Sequence, residues 1–127
     1  MAAKQILCVD DDSFYREFYS TIFSTKGYDV ATAESLSEGL EKAKKLQPAL
    51  IVLDIMMPES DGMMDGYGLL RELRASDDTK DVPVIMISAL DQTGDLDRAL
   101  EMGATTYIPK QNLTPERLLE MAKKIER

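Results

Sequence analysis

The chain has 127 residues, a net charge of -8, one cysteine and no histidine, and its length fits one domain, residues 1–127. The acidic balance argues against nucleic acid as a partner, because phosphate backbones are bound by clustered Lys and Arg. The missing histidine excludes Ser-His-Asp and Cys-His catalysis, and the lone Cys8 fits core packing. Without a signal pattern or a long apolar span, we expect a cytoplasmic protein that does not bind a membrane.

Five apolar segments have the composition of buried parallel strands. In chain order they are Gln5 to Val9, Tyr28 to Ala31, Leu50 to Asp54, Val84 to Ile87 and Thr106 to Ile108. Each is followed by apolar residues at helical spacing. These helical segments are Phe14 to Phe23, Leu36 to Leu46, Tyr67 to Ala75, Leu96 to Leu100 and Leu118 to Ile125. The alternation predicts an α/β fold with a doubly wound, five-stranded parallel sheet and helices on both faces.

Capping signals mark the starts of three of these helices. Asp12 is an acid of the kind that favours a helix N-terminus. Ser35 and Glu38 form a capping box before the second helix. Thr114 as cap, with Pro115 at the first helical position, predicts the start of the last helix.

Polar residues follow the strands at the ends that meet at one edge of a parallel sheet. Asp10 and Asp11 follow the first strand, and Asp54 ends the third. Ser88 and Lys110 follow the fourth and fifth strands. In open α/β sheets the ligand crevice lies outside these carboxyl ends. The common strand orders include 2-1-3-4-5, which would bring the three acids together.

Such a cluster of carboxylates indicates a particular chemistry. The acids repel each other, and a divalent cation relieves the repulsion. Mg²⁺ prefers oxygen ligands, and the cluster offers no softer ligand. A carboxylate can also attack phosphorus to form an aspartyl phosphate. Phosphoryl transfer needs in-line positioning and charge cancellation, and Asp54 with Mg²⁺, Lys110 and Ser88 would supply these parts.

Five fragments in the right order resemble the receiver domain of two-component response regulators: VDDD, LDIMMP, MDGYGLLREL, ISAL and YIPK. The resemblance covers essentially the whole chain. It implies a flavodoxin-like fold with strand order 2-1-3-4-5. It also implies a phosphoacceptor signalling domain whose Asp54 is phosphorylated by a histidine kinase or a histidine phosphotransfer protein, with no external substrate turned over.

The resemblance also implies the roles of individual residues. Asp11 would bind Mg²⁺ directly and Asp10 mainly through water. The Met56 carbonyl would complete the protein ligands beside Asp54. Lys110 would pair with the phosphate.

The resemblance further implies a switch. Ser88 would move toward the phosphoryl oxygen, and Tyr107 would swing inward behind it. This would remodel the surface of the fourth helix, fifth strand and fifth helix, where a downstream protein would dock. We expect a monomer or a weak dimer.

The loop after Pro58 departs from the usual family pattern. It is longer than usual, and the added residues Glu59 to Met63 contain a second Asp-Gly pair at positions 61 and 62. We take Asp65-Gly66 as the pair that opens the third helix, because GYGLLREL continues from it.

Two further features are unusual for the family. Lys110 is followed by Gln111 instead of the usual proline, which is often cis. A cis bond before a non-proline residue costs about 3 kcal/mol, so we expect a trans or a strained bond. The apolar side chains of Met56 and Leu90 would position an attacking water poorly, so we also expect a long-lived phosphorylated state.

Three rival functions fit the residues less well. A haloacid dehalogenase-type hydrolase also uses a strand-end aspartate. Its motif is Asp-x-Asp with the second acid as general acid, whereas Met56 stands two residues after Asp54 here. A flavodoxin-like carrier cradles a phosphate at its first loop, which the acids at positions 10–12 would repel. The third rival is a phosphorylation-silent receiver-like module that binds proteins.

Overall fold

The computed structural model describes residues 3–57, 65–89 and 95–127. The strands are β1 (Gln5–Val9), β2 (Asp29–Ala33), β3 (Leu50–Asp54), β4 (Val84–Ser88) and β5 (Thr106–Pro109). The helices are α1 (Ser13–Thr25), α2 (Leu36–Leu46), α3 (Gly66–Ala75), α4 (Asp95–Glu101) and α5 (Pro115–Ile125), with a short 3₁₀ helix at Lys110–Asn112. All the strand pairs are parallel, and the sheet order is β2-β1-β3-β4-β5. This confirms the predicted doubly wound, flavodoxin-like fold.

The sheet separates two hydrophobic clusters. On one face, side chains of β1, β3 and β4 pack against α2, α3 and α4. On the other face, the alternate side chains of the same strands pack against α1 and α5. β3 is buried along its whole length, as expected for a central strand covered on both sides. Cys8 lies in the second cluster, so its predicted role in the core is confirmed.

The second strand differs from its predicted limits. We expected it at Tyr28 to Ala31, whereas β2 runs from Asp29 to Ala33. The reason is its register with β1, which pairs Val9 with Ala33 and so extends the ladder. β2 is also an edge strand with a largely half-exposed pattern, so its apolar signal in the sequence is weak.

The predicted helix caps form, with one change. The side chains of Asp12 and Thr114 accept hydrogen bonds from the Phe14 and Arg117 amides. The Ser35 hydroxyl accepts from the Glu38 amide at 3.1 Å. The Glu38 carboxylate, however, accepts from the Glu34 amide at 2.7 Å, one residue before the partner that a capping box uses.

The connector between α3 and β4 is held by Arg74. Its guanidinium donates to the carbonyl oxygens of Gly103 (2.9 Å), Thr79 (3.2 Å) and Lys80 (3.1 Å). It thereby ties α3 to the connector and to the turn before β5. Burial lowers the pKa of Arg74, with Asp81 opposing the change.

None of the described helices has the length and apolar character needed to span a membrane.

Arg74→Met should lower the free energy of unfolding by about 2 kcal/mol. The substitution keeps the aliphatic stem but removes a charged donor from three carbonyl oxygens. Urea denaturation measures the loss. Arg71→Met, at an exposed position of the same helix, should change stability by less than about 0.5 kcal/mol. Equal losses in the two variants would contradict this role of Arg74.

Candidate functional site

Three carboxylates meet at the carboxyl edge of the sheet. Asp10 follows β1 and Asp54 ends β3, and these two strands are parallel neighbours. Carboxylate oxygens of Asp10, Asp11 and Asp54 lie within 4.8 Å of one another. Asp10 and Asp54 are buried, whereas Asp11 is exposed. The predicted grouping of the three acids is therefore present, and the cluster is open to solvent on the Asp11 side.

Asp10 uses only one of its two carboxylate oxygens in hydrogen bonds to the described part of the chain. Its Oδ1 accepts from the Asp12 amide at 2.9 Å. Its Oδ2 is buried and has no such partner. A buried carboxylate oxygen without a partner is costly. Its burial therefore favours a ligand, such as a cation or a water, at this oxygen.

Asp54 is held from two sides. Its Oδ1 accepts from the Met56 amide at 3.0 Å. Its Oδ2 accepts from the Lys110 ammonium at 3.4 Å, and the Asp54 side chain is only 2 % exposed. This contact is longer than the usual charge-assisted hydrogen bond of about 2.7–2.9 Å. The pair is therefore close but not tightly joined.

Burial perturbs both buried acids of the cluster. It raises the pKa of Asp10 to about 6, and the charges of Asp54 and Asp11 also raise this pKa. The Asp12 amide and Lys110 act in the opposite direction. Burial likewise raises the pKa of Asp54, and Lys110 and the Met56 amide oppose the rise. When all three acids are ionised, Lys110 balances only part of the negative charge of the cluster.

The start of α3 packs against the end of β3. Asp65 caps the helix by accepting from the amides of Tyr67 (2.9 Å) and Gly68 (3.3 Å). The Gly66 amide donates to the Ile55 carbonyl oxygen at 2.9 Å. A Cβ atom at Gly66 would overlap the Asp54 carbonyl oxygen. Asp65 and Gly66 therefore open the helix as predicted, and the alternative pair at positions 61 and 62 lies outside the described residues.

The cluster fits a hard divalent cation. Its ligand atoms are oxygens, three carboxylates lie close together, and one buried oxygen is unsatisfied. Mg²⁺ is commonly held by one or two carboxylates together with water and phosphate oxygens. The described residues thus include an acidic cluster suited to such an ion.

Comparison with known proteins identifies the family. The family model described as "Response regulator receiver domain" matches residues 6–123. The chain belongs to the response regulator receiver domain family. Its role is that of a phosphoacceptor signalling domain of two-component systems.

Two curated relatives are longer proteins. The receiver domain is 42% identical over 110 residues to "Probable transcriptional regulator ycf27" of Porphyridium aerugineum. The matched residues cover 87% of this chain and 43% of the relative. Over 106 residues it is 37% identical to "DNA-binding dual master transcriptional regulator RpaA" of Synechocystis, covering 84% and 42% respectively. The chain spans about half the length of these relatives.

We expected no nucleic-acid partner, and these relatives do not support that expectation. Both are described as transcriptional regulators, and one as DNA-binding. The net charge of -8 is that of these 127 residues. A longer protein that contains a receiver domain can carry a different charge in its other parts.

Solved receiver structures share the fold over nearly the whole chain. A putative response regulator from Chloroflexus aurantiacus superposes with a TM-score of 0.87 at 29% identity, covering 97% of both chains. The chemotaxis response regulator CheY4 of Vibrio cholerae gives a TM-score of 0.86 at 28% identity, covering 97% of this chain and 98% of that one.

The structure places the two predicted switch residues on neighbouring strands. Ser88 is the buried last residue of β4, and its backbone pairs with Pro109, next to Lys110. Tyr107 lies in β5 and is buried in the cluster that faces α2, α3 and α4. Both positions are compatible with the predicted switch, and the movements themselves stay predictions.

The peptide bonds that the structure describes are trans. The bond between Lys110 and Gln111 is therefore the trans alternative of the two that we expected. Met56 exposes about half of its side chain (51%), while its amide serves Asp54. Leu90 lies outside the described residues, so the slow loss of phosphate expected from these two side chains stays a prediction.

One contact at the site was not predicted from the sequence. The Lys110 ammonium lies 4.1 Å from the centroid of the Tyr15 ring. The apolar spacing of α1 identifies Tyr15 as a packing residue, and no local signal in the sequence links it to Lys110.

Asp10→Asn should make the metal-free protein more stable at pH 7.5, by roughly 2 kcal/mol. The pKa of Asp10 is about 6 in the folded protein and near 4 in the unfolded chain. Between these two pH values the folded protein therefore keeps a proton on Asp10 that the unfolded chain has released. The free energy of unfolding falls as the pH rises through this range, and the loss is complete above pH 6. Asparagine removes this loss.

Urea denaturation in a chelator, at pH 4.5 and 7.5, measures the difference between variant and parent. Asp12→Asn is the matched control, since Asp12 is exposed and asparagine caps a helix equally well. The control should follow the parent at both pH values. An Asp10→Asn protein that is less stable than the parent at pH 7.5 would refute the argument.

Proposed function

We propose that residues 1–127 form one receiver domain that accepts a phosphoryl group on Asp54, with Mg²⁺ bound at the adjacent acids. The donor is a histidine kinase or a histidine phosphotransfer protein, and no external substrate is turned over. The observation that carries the proposal is the position of Asp54, buried at a strand end between an acidic cluster and Lys110. The cluster offers a metal site, and the lysine offers a partner for the incoming phosphate.

The residues around Asp54 suit an in-line transfer. The Met56 amide fixes Oδ1 and Lys110 lies beside Oδ2, so the carboxylate cannot rotate freely. One carboxylate oxygen forms the bond to phosphorus while the bond to the donor nitrogen breaks. Mg²⁺ bound by Asp11, Asp54, the Met56 carbonyl and, through water, Asp10 would cancel charge on the phosphoryl oxygens.

Lys110 and Ser88 would bind the phosphoryl group after transfer. The ammonium is only loosely paired with Asp54, at 3.4 Å, so it can shift to a phosphoryl oxygen at little cost. Ser88 ends the neighbouring strand β4, and its hydroxyl would donate to a second oxygen. Their movement would shift the equilibrium between two conformations of the surface that includes Tyr107.

We propose the surface formed by α4, β5 and α5 as the output of the switch. α4 exposes two large apolar side chains, Leu96 (47%) and Leu100 (44%), which a downstream protein could cover. The relatives named as transcriptional regulators are about twice as long. The output of this chain, its cytoplasmic location and its monomeric or weakly dimeric state stay predictions.

The rivals are less well supported than the receiver function. The family match favours a receiver domain over a hydrolase or a flavodoxin-like carrier. Met56, at the position where a haloacid dehalogenase-type enzyme needs an acid, is half exposed and apolar. The phosphorylation-silent protein-binding module is kept as an outcome of the following test.

Incubation with acetyl phosphate and Mg²⁺ should add one phosphoryl group to the protein. Intact-mass analysis should show the addition in the parent, and none in Asp54→Asn or in the presence of a chelator. Asp12→Asn is the matched control, because Asp12 caps α1 and lies outside the proposed ligand set. It should be phosphorylated like the parent. A parent that binds Mg²⁺ but remains unmodified would favour the phosphorylation-silent module.

A further inference from the structure

A cation–π contact connects α1 with the site. The Lys110 ammonium lies 4.1 Å from the centroid of the Tyr15 ring, well within the distance of about 6 Å at which a ring face attracts a cation. The Lys110 side chain is only 17% exposed. Partial desolvation strengthens such a contact, so the ring is a substantial partner for this ammonium.

The ring of Tyr15 is itself braced by its neighbours. Its centroid lies 5.3 Å from that of Phe14 in an edge arrangement, and 6.2 Å from those of Phe18 and Tyr19. Aromatic pairs at these separations are mutually attractive. The ring face that meets Lys110 is therefore held in place by α1, whose first turn directly follows the acids of the cluster.

Lys110 is thus shared between a ring and a carboxylate. Its distance to Asp54 Oδ2, 3.4 Å, is long for a charged hydrogen bond. Lysine carries a flexible stem with several rotatable bonds, and a single loose ion pair would leave it free to move away. The ring limits this freedom without neutralising the ammonium, and an ammonium with three N–H donors keeps a donor for a phosphoryl oxygen.

We propose that Tyr15 is a positioning residue that holds the Lys110 ammonium beside Asp54, ready for the incoming phosphoryl group. This inference rests on the proposed function. It assigns to the first turn of α1 a task at the site, and it attributes that task to the face of the Tyr15 ring and not to the tyrosine hydroxyl. On phosphoryl transfer the ammonium would exchange the loose contact with Asp54 for a phosphoryl oxygen.

The test compares Tyr15→Leu with Tyr15→Phe. Acetyl phosphate and Mg²⁺ are supplied, and the rate of phosphorylation is followed by intact-mass analysis. An Asp54 carboxylate oxygen forms the bond to phosphorus, the bond from phosphorus to the acetate oxygen breaks, and acetate leaves with that electron pair. The rate should fall about three- to tenfold in Tyr15→Leu, within the range that cation–π energies allow. Tyr15→Phe, which keeps the ring, should stay within about twofold of the parent.

Tyr28→Leu is the matched control. It makes the same tyrosine-to-leucine change at a half-buried position whose ring contacts Phe23 and whose hydroxyl donates to Glu126, and it should be phosphorylated like the parent. Thermal unfolding verifies that each variant is folded. A second readout is independent of phosphate: ring-current shifts of the Lys110 side-chain protons in NMR spectra should be lost in Tyr15→Leu and kept in Tyr15→Phe and Tyr28→Leu.

The outcomes separate this inference from the function on which it rests. If the parent is phosphorylated and Tyr15→Leu is equally fast, the role of Tyr15 is overturned and the proposed function stands. If Tyr15→Phe is as slow as Tyr15→Leu, the ring face is not the feature that matters, and the inference fails. A parent that takes up no phosphoryl group from acetyl phosphate overturns the proposed function and this inference with it.

Discussion

The structure depends on two buried carboxylates at the ends of adjacent parallel strands. Asp10 and Asp54 have lost most of their water, and their charges repel each other and that of Asp11. Lys110 supplies one positive charge at a loose distance. The folded protein thus bears an electrostatic cost that a divalent cation and a phosphoryl group together with Lys110 can relieve. A site that gains so much from ligands is suited to act as a switch.

The rest of the fold keeps this arrangement rigid. β3 is buried on both faces, so Asp54 cannot escape the cluster by a local shift of its strand. Gly66 lets α3 approach the backbone of Asp54, and the Arg74 guanidinium fixes the connector that follows the same helix. The movements predicted for Ser88 and Tyr107 would take place against this fixed part of the fold.

Much of the fold and of the site could be predicted from the sequence, because each signal was local. Apolar runs such as Leu50 to Asp54 mark buried strands, and acids directly after them mark the carboxyl edge of the sheet. The limits of β2 were wrong because an edge strand is half exposed and its length is set by its register with β1. The contact of Tyr15 with Lys110 could not be predicted, since it joins segments far apart in sequence. The partners of a longer protein lie beyond what the charge of this chain can show.

We expect the acidic cluster to destabilise the folded protein without a cation, and Mg²⁺ to remove this cost. The most direct measurement is the free energy of unfolding at pH 7.5, with Mg²⁺ and with sodium chloride at the same ionic strength. We predict that Mg²⁺ raises it by about 1.4 kcal/mol once free Mg²⁺ is about ten times its Kd, and that sodium chloride does not. If Mg²⁺ stabilises the protein no more than sodium chloride at matched ionic strength, the claim is contradicted.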